Sequence, residues 1–161
     1  MSKDEVTISL STTPTWSILK EVQDKTEQHM KNKNTINDII EATVMCASEL
    51  VENAIKYGSS LSGQNIITFD LGTFDDKVFI KVSNGIKDEN DALNVKIHID
   101  NLKKTEDPGS LYTERLMQLM DNPKPGVSQL GLYRIAYEGE FKLDYIYQNG
   151  ILTVKAERNY K

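Results

Sequence analysis

Between Ile36 and Tyr57 the residues Ile36, Ile39, Ile40, Thr43, Val44, Ala47, Leu50, Val51, Ala54 and Ile55 recur three and four positions apart, and this run constrains the fold more than any other part of the chain. The spacing matches a helix of 3.6 residues per turn and collects one broad apolar face, which has to be buried against something large. Thr35 or Asn37 can cap the start, and Gly58 supplies a stop. The run is therefore expected to be the central helix of whatever the chain builds.

Around it the pattern changes from period 3.6 to period 2 and back. Residues 5–10 alternate apolar and polar side chains as a half-buried strand does, and Thr15 to about Lys31 reads as a helix after the Pro14 break. Asn65–Leu71 and Val78–Ser83 alternate on either side of Gly72-Thr73-Phe74-Asp75-Asp76 and form an antiparallel hairpin. The acidic run Lys87-Asp88-Glu89-Asn90-Asp91 reads as solvated. Asp107-Pro108-Gly109 breaks the chain before a helix from Leu111 to about Met120, whose Leu111, Leu116, Met117, Leu119 and Met120 are expected to pack against the sheet, with a lid or a partner-binding surface as the alternative. Pro123-Lys124-Pro125-Gly126 forms a loop, Leu130–Ala136 a helix, and Phe141–Tyr147 with Gly150–Glu157 a closing hairpin through Gln148-Asn149-Gly150. The order β-α-α-β-β-α-α-β-β predicts an α+β fold, a two-layer α/β sandwich. Its mixed, mainly antiparallel sheet is covered on one face by helices, with residues 1–161 as a single domain.

Composition then removes whole classes of function. At 39% apolar and 27% charged residues the chain suits neither disorder nor a bilayer, and its apolar runs fall far short of the roughly 20 residues a spanning helix needs. The opening Met1-Ser2-Lys3-Asp4-Glu5 has no apolar core of a signal peptide, and a single cysteine, Cys46, cannot form an internal disulfide, so a cytoplasmic location is expected. A net charge of -5 argues against a nucleic-acid surface and favours a protein or small-molecule partner. His29 and His98 have no Cys or carboxylate at ligand spacing, so zinc is not expected, and Cys46 on the apolar side of its helix packs rather than reacts.

The chemistry concentrates in Ser48-Glu49-Leu50-Val51-Glu52-Asn53-Ala54-Ile55-Lys56-Tyr57-Gly58. Glu49 and Asn53 are four residues apart and project from one helical face, with Lys56 a turn further on. On spacing alone this is the solvated side of an amphipathic helix. An amide oxygen beside a carboxylate also suits Mg²⁺, which takes oxygen ligands and keeps several waters while bridging phosphates, and a carboxylate near a hydroxyl suits a general base.

The string Glu-Leu-Val-Glu-Asn-Ala-Ile-Lys-Tyr resembles the N box of the GHKL superfamily, the histidine-kinase-like ATPases with a Bergerat fold. The resemblance implies Glu49 as catalytic base, Asn53 as magnesium ligand and Lys56 as phosphate contact. It implies a second box after the hairpin, where Val82-Ser83-Asn84-Gly85-Ile86 stands for Asp-x-Gly-x-Gly, with Asn84 in place of the adenine-reading Asp and only Gly85 kept. It implies a third, Gly-x-Gly-Leu before a helix, where Gly131-Leu132 remains and Gln129 replaces the first glycine. Among short members the pattern resembles the anti-sigma-factor serine kinases and the SiaB-like protein kinases.

That resemblance implies a regulatory ATP-binding protein, an ATP- and Mg²⁺-dependent serine/threonine kinase acting in partner switching on a small protein such as a STAS-domain, anti-anti-sigma-like one. Relatives often dimerise, so a homodimer belongs to the same expectation. The eroded boxes imply an alternative, a pseudoenzyme of the same fold that has lost ATP and works as a protein-interaction module.

Overall fold

Two tight hairpins organise the sheet. The computed structural model describes residues 5–12, 16–57, 66–86, 88–121 and 130–161. Strands β2 (Ile67–Phe74) and β3 (Lys77–Gly85) turn through Asp75 and Asp76, with Asp75 at φ 51°, and β4 (Lys142–Gln148) and β5 (Ile151–Asn159) turn through Asn149 and Gly150 at φ 55° and 77°. Two successive positive φ values are what a type I′ turn requires, and Asn-Gly reaches them most easily. With β1 (Glu5–Thr12) on the outside, the strand order is β1-β2-β3-β5-β4. Among the described residues all four pairings are antiparallel, so the predicted two-layer, mainly antiparallel sheet is present, and none of these pairings is the parallel one that a mixed sheet would add.

Register explains why one face is dry. Leu10, Phe69, Val82, Val154 and Tyr145 lie in one cross-strand row, and Ile8, Leu71, Ile80, Ala156 and Leu143 in another, all on the same side. The alternate row, Ser9, Asp70, Lys81, Lys155 and Asp144, faces the other way, as period-2 side chains must. On that outer face Lys81 and Lys155 lie over the Phe79 ring at 5.3 and 5.6 Å and the Phe74 ring stands 6.2 Å from it, and Phe79 is fully buried.

Helix α2 (Asn37–Tyr57) lays Ile40, Thr43, Ala47, Leu50, Val51 and Ala54 into the core, as its periodicity predicts, together with Cys46. Ile36 departs from that expectation: it precedes the first turn and is 64% exposed. Thr43 is buried at no cost in hydrogen bonds because its hydroxyl donates to Ile39 O at 2.7 Å. Helix α1 (Ser17–Asn32) packs on α2, joined by Gln23 Nε2 donating to Ser48 Oγ at 3.0 Å.

Among the described residues between the hairpins there are three helices where the sequence predicts two. Helix α3 (Glu89–Lys104) begins at the acidic run read as solvated; Asp88 caps it by accepting from Asn90 N at 2.9 Å, and Ala92, Val95, Ile99 and Leu102 are buried. Helix α4 (Pro108–Asp121) starts three residues before its predicted Leu111, with Pro108 in the first turn, where a missing N–H costs nothing. Gly109 lets the Tyr137 ring lie directly against that turn, since a Cβ there would come within 2.6 Å of its Cε1 and the ring would have to shift. The expected packing of α4 on the sheet is not found. The helix carries no buried residue, and Leu116, Met117 and Met120 are exposed. It rests instead on α5 (Leu130–Tyr137), where the Tyr112 and Tyr137 rings meet at 5.6 Å. The expectations for Pro14, Gly58, Asn65 and the Pro123–Gly126 loop fall outside the described residues. No helix among the described residues is long and apolar enough to cross a membrane.

Where α3 meets α5, His98 Nδ1 hydrogen-bonds the Tyr133 hydroxyl. Burial, and then the charge of Arg115, push the His98 pKa down to about 4. His29 is lowered too, by burial and then by Lys33. A histidine that resists protonation when folded leaves the unfolded chain to take up the proton first. Its contribution is complete above the unfolded value near 6.5 and is lost as pH falls toward 4. Because the His98 ring is only half-buried, solvent screening leaves about 1–2 kcal/mol of this effect. Urea unfolding at intervals between those two values is expected to show that loss, and His98→Gln should flatten the slope; an unchanged slope in the variant would assign the acid sensitivity elsewhere.

Candidate functional site

Helix α2 is apolar toward the sheet, yet its last turns carry a polar stripe that meets the sheet at the end of β3. There Asn53 of α2, Asn84 of β3 and Leu132 of α5 line one cavity. Three residues from three separated segments thus converge. The remaining walls are mostly apolar, among them Leu50, Val82, Val95 and Leu152, and the cavity measures about 20 Å³. That is room for about one water.

Asn84 owes its inward aim to register. It stands opposite Ile67 on β2 and Leu152 on β5, in the row that faces the helices, and it is only 7% exposed. Its amide does not go unused: Nδ2 donates to Gly85 O at 3.1 Å. Gly85 closes β3 opposite Ile151 and does not itself line the cavity.

The structure adds Asp91, which the sequence reading left among solvated acids. It sits in the first turn of α3, half-buried, and lines the same cavity, while Asp88, Glu89 and Asn90 are exposed. Burial, and then the neighbouring charge of Asp88, push its carboxyl up from the usual range. The 3–4 spacing of Ala92, Val95, Ile99 and Leu102 was the available signal, since it places a helix whose first turn includes residue 91.

Glu49 and Gly131 meet outside the cavity. Glu49 Oε1 accepts from Arg134 Nη1 at 2.9 Å, and Arg134 Nε donates to Glu138 Oε2 at 3.0 Å. The other Glu49 oxygen lies against Gly131: a Cβ there would overlap Oε2 and come within 3.0 Å of Cδ. Gly131 is thus a glycine for a reason independent of any phosphate, namely clearance for the Glu49 carboxylate. Burial, and then Glu52, raise the Glu49 pKa, while Arg134 and Lys56 pull it back without cancelling the rise. Lys56 is exposed near the end of α2 and does not line the cavity. Gln129 lies outside the described residues. Nothing local in the sequence points to Arg134, because its partner is 85 residues away.

Chemically, the cavity offers an apolar slot whose polar groups are two amides and one carboxylate. Its apolar walls and few polar groups suit a planar heterocycle in character, but at about 20 Å³ it is too small to hold one as it stands. Among the described residues no group of three or more His, Cys, Asp or Glu side chains is placed to hold a metal. A single amide oxygen at Asn53 fits a cation carried largely by phosphates, since Mg²⁺ is usually bound through one or two protein ligands.

No protein-family model matches the chain, and no curated protein matches it in sequence. In three dimensions it is similar to a chain in the crystal structure of the SiaB–SiaC complex from Pseudomonas aeruginosa, with a TM-score of 0.72 at 13% identity. The match covers 95% of this chain and 89% of that one, so the whole architecture corresponds.

Proposed function

We propose that the chain is a regulatory nucleotide-binding protein of the histidine-kinase-like (GHKL) superfamily, SiaB-like in fold, that acts on a small partner protein in a partner-switching pathway. The observation that carries this reading is the convergence of Asn53, Asn84 and Leu132, one from each box of the resemblance, on a single cavity. The similar solved chain comes from a complex of two proteins, which supports a protein partner. A STAS-like domain is the partner proposed.

On this reading the slot between α2, β3 and α5 widens to take the adenine of ATP, and Asn53 holds Mg²⁺. Bound there, Mg·ATP would supply the transferable phosphoryl group. Positioning and electrostatics dominate such transfers, so the chain's own work is to orient and to exclude water. Leu50, Leu132 and Leu152 supply apolar walls against which a base could pack. Glu49, with its pKa raised by burial, would accept the proton of the partner's hydroxyl once Arg134 lets it go.

Calorimetric titration with Mg·ATP tests the reading, and no binding at millimolar nucleotide would remove it. Asn53→Ala is expected to weaken Mg·ATP binding by about tenfold or more while leaving the unfolding midpoint nearly unchanged, since the side chain edges the cavity and lies outside the packed core. Equal affinity in the variant would disprove the role given to Asn53.

The pseudoenzyme reading has observations of its own. The cavity of about 20 Å³ is smaller than any nucleobase, and both Glu49 and the Asn84 amide are already occupied by protein groups. A partner bound equally well with and without ATP would favour it.

A further inference from the structure

Arg134 joins two helices through one guanidinium. Glu138 lies four residues on, just past the end of α5, so that bond aims the side chain, whereas the bond to Glu49 crosses to α2. The Glu49 side chain is 19% exposed and that of Arg134 39%, so this pair lies outside the cavity and within reach of solvent. Since the second Glu49 oxygen lies on Gly131, α5 closes over this carboxylate from two directions. Asn53 follows Glu49 one turn along α2, and Lys56 follows Asn53, so the polar stripe has a cation at each end. The charged groups that bear on Glu49 are Glu52 and Lys56 from α2 and Arg134 from α5, with Glu138 on the far side of the guanidinium.

We propose that Arg134 is an anion-exchange latch: without an anion it holds Glu49 and ties α5 to α2, and an arriving phosphate-type anion takes the guanidinium and frees the carboxylate. The proposal deepens the nucleotide reading, on which it rests for taking the anion to be a polyphosphate. A guanidinium fork fits carboxylate and phosphate with the same paired geometry, so the exchange replaces one charge-assisted contact with another and needs little net energy. While the latch is shut, Glu49 is unavailable as a base. Opening it ties the availability of Glu49 to the arrival of the anion.

The latch predicts that removing the competitor helps the anion even though it loosens the protein. Inorganic tripolyphosphate, titrated calorimetrically at low salt, should bind Glu49→Gln about tenfold more tightly than the unmodified protein, the scale of one charge-assisted hydrogen bond. Amides of α5 should exchange faster in the same variant. Glu52→Gln removes the same charge from the neighbouring position without freeing Arg134 and should gain much less. Arg134→Gln added to Glu49→Gln should abolish the gain, with thermal unfolding confirming that every variant is folded. Equal gains in Glu49→Gln and Glu52→Gln would reduce the effect to bulk charge and overturn the latch, as would no gain or no binding in Glu49→Gln. Mg·ATP titrations of the same proteins separate the two ideas. A tripolyphosphate response without Mg·ATP binding would uphold the latch and remove the nucleotide reading, and Mg·ATP binding that is indifferent to Glu49→Gln and Arg134→Gln would do the reverse.

Discussion

Leu132→Ala is expected to destabilise the protein by about 2–5 kcal/mol, the usual cost of truncating a buried leucine whose surroundings only partly collapse. Leu132 is 1% exposed, and with Ile135, which is fully buried, it seats the short helix α5 on the core. For a chain of this size each kcal/mol moves the melting temperature by about 2–4 °C, so the loss is readable by heat as well as by urea. The effect should exceed that of any polar residue at the site, because Leu132 both lines the cavity and holds the helix that carries Gly131 and Arg134. Leu132→Met, which nearly conserves volume, should cost under about 1.5 kcal/mol. A loss below about 1 kcal/mol in Leu132→Ala would mean that α5 is not seated as described, and the Glu49–Arg134 contact would fall with it.

Asn84→Asp should restore the carboxylate of the histidine-kinase-like box and yet weaken the free protein. The Asn84 amide donates to Gly85 O, and a carboxylate there would set acceptor against acceptor at a residue only 7% exposed. The half-buried Asp91 in the same cavity adds repulsion. Leaving such a group unpaired costs about 1–3 kcal/mol, and more when it is charged. The new carboxyl should therefore titrate above its unfolded value near 3.9. With the folded pKa raised, stability relative to the unmodified protein is retained at low pH, where the protonated acid can donate to Gly85 O. It is lost as pH rises through the folded pKa. Unfolding free energies at about pH 4 and about pH 7 should thus differ between variant and parent, with the larger deficit at pH 7. A deficit that grows toward low pH would show that residue 84 reaches solvent. If Mg·ATP affinity rises in this variant despite the lost stability, Asn84 stands where a base is read, and unchanged affinity would count against that placement.

What could be read directly from the chain is local in origin. The α2 run, the Asn149-Gly150 turn and the alternation in β2, β3 and β5 each follow from residues a few positions apart, so backbone geometry and solvent avoidance specify them without knowledge of the rest. Helix α3 was legible in the same way from its 3–4 spacing, but its acidic start masked it, because charges at a helix N-terminus look like a solvated linker until the cap is seen. The Ile36 expectation failed because the residue precedes the first turn of α2, and the α4 expectation because periodicity says only that residues share a face, while a neighbouring surface decides whether that face is covered. The tertiary structure alone placed Asp91 beside Asn84, brought Arg134 to Glu49 across 85 residues, and gave Gly131 a role as clearance for a carboxylate. Each of these depends on how helices from distant segments settle on one sheet, and the energy of that packing belongs to pairs of surfaces that no single stretch of sequence contains.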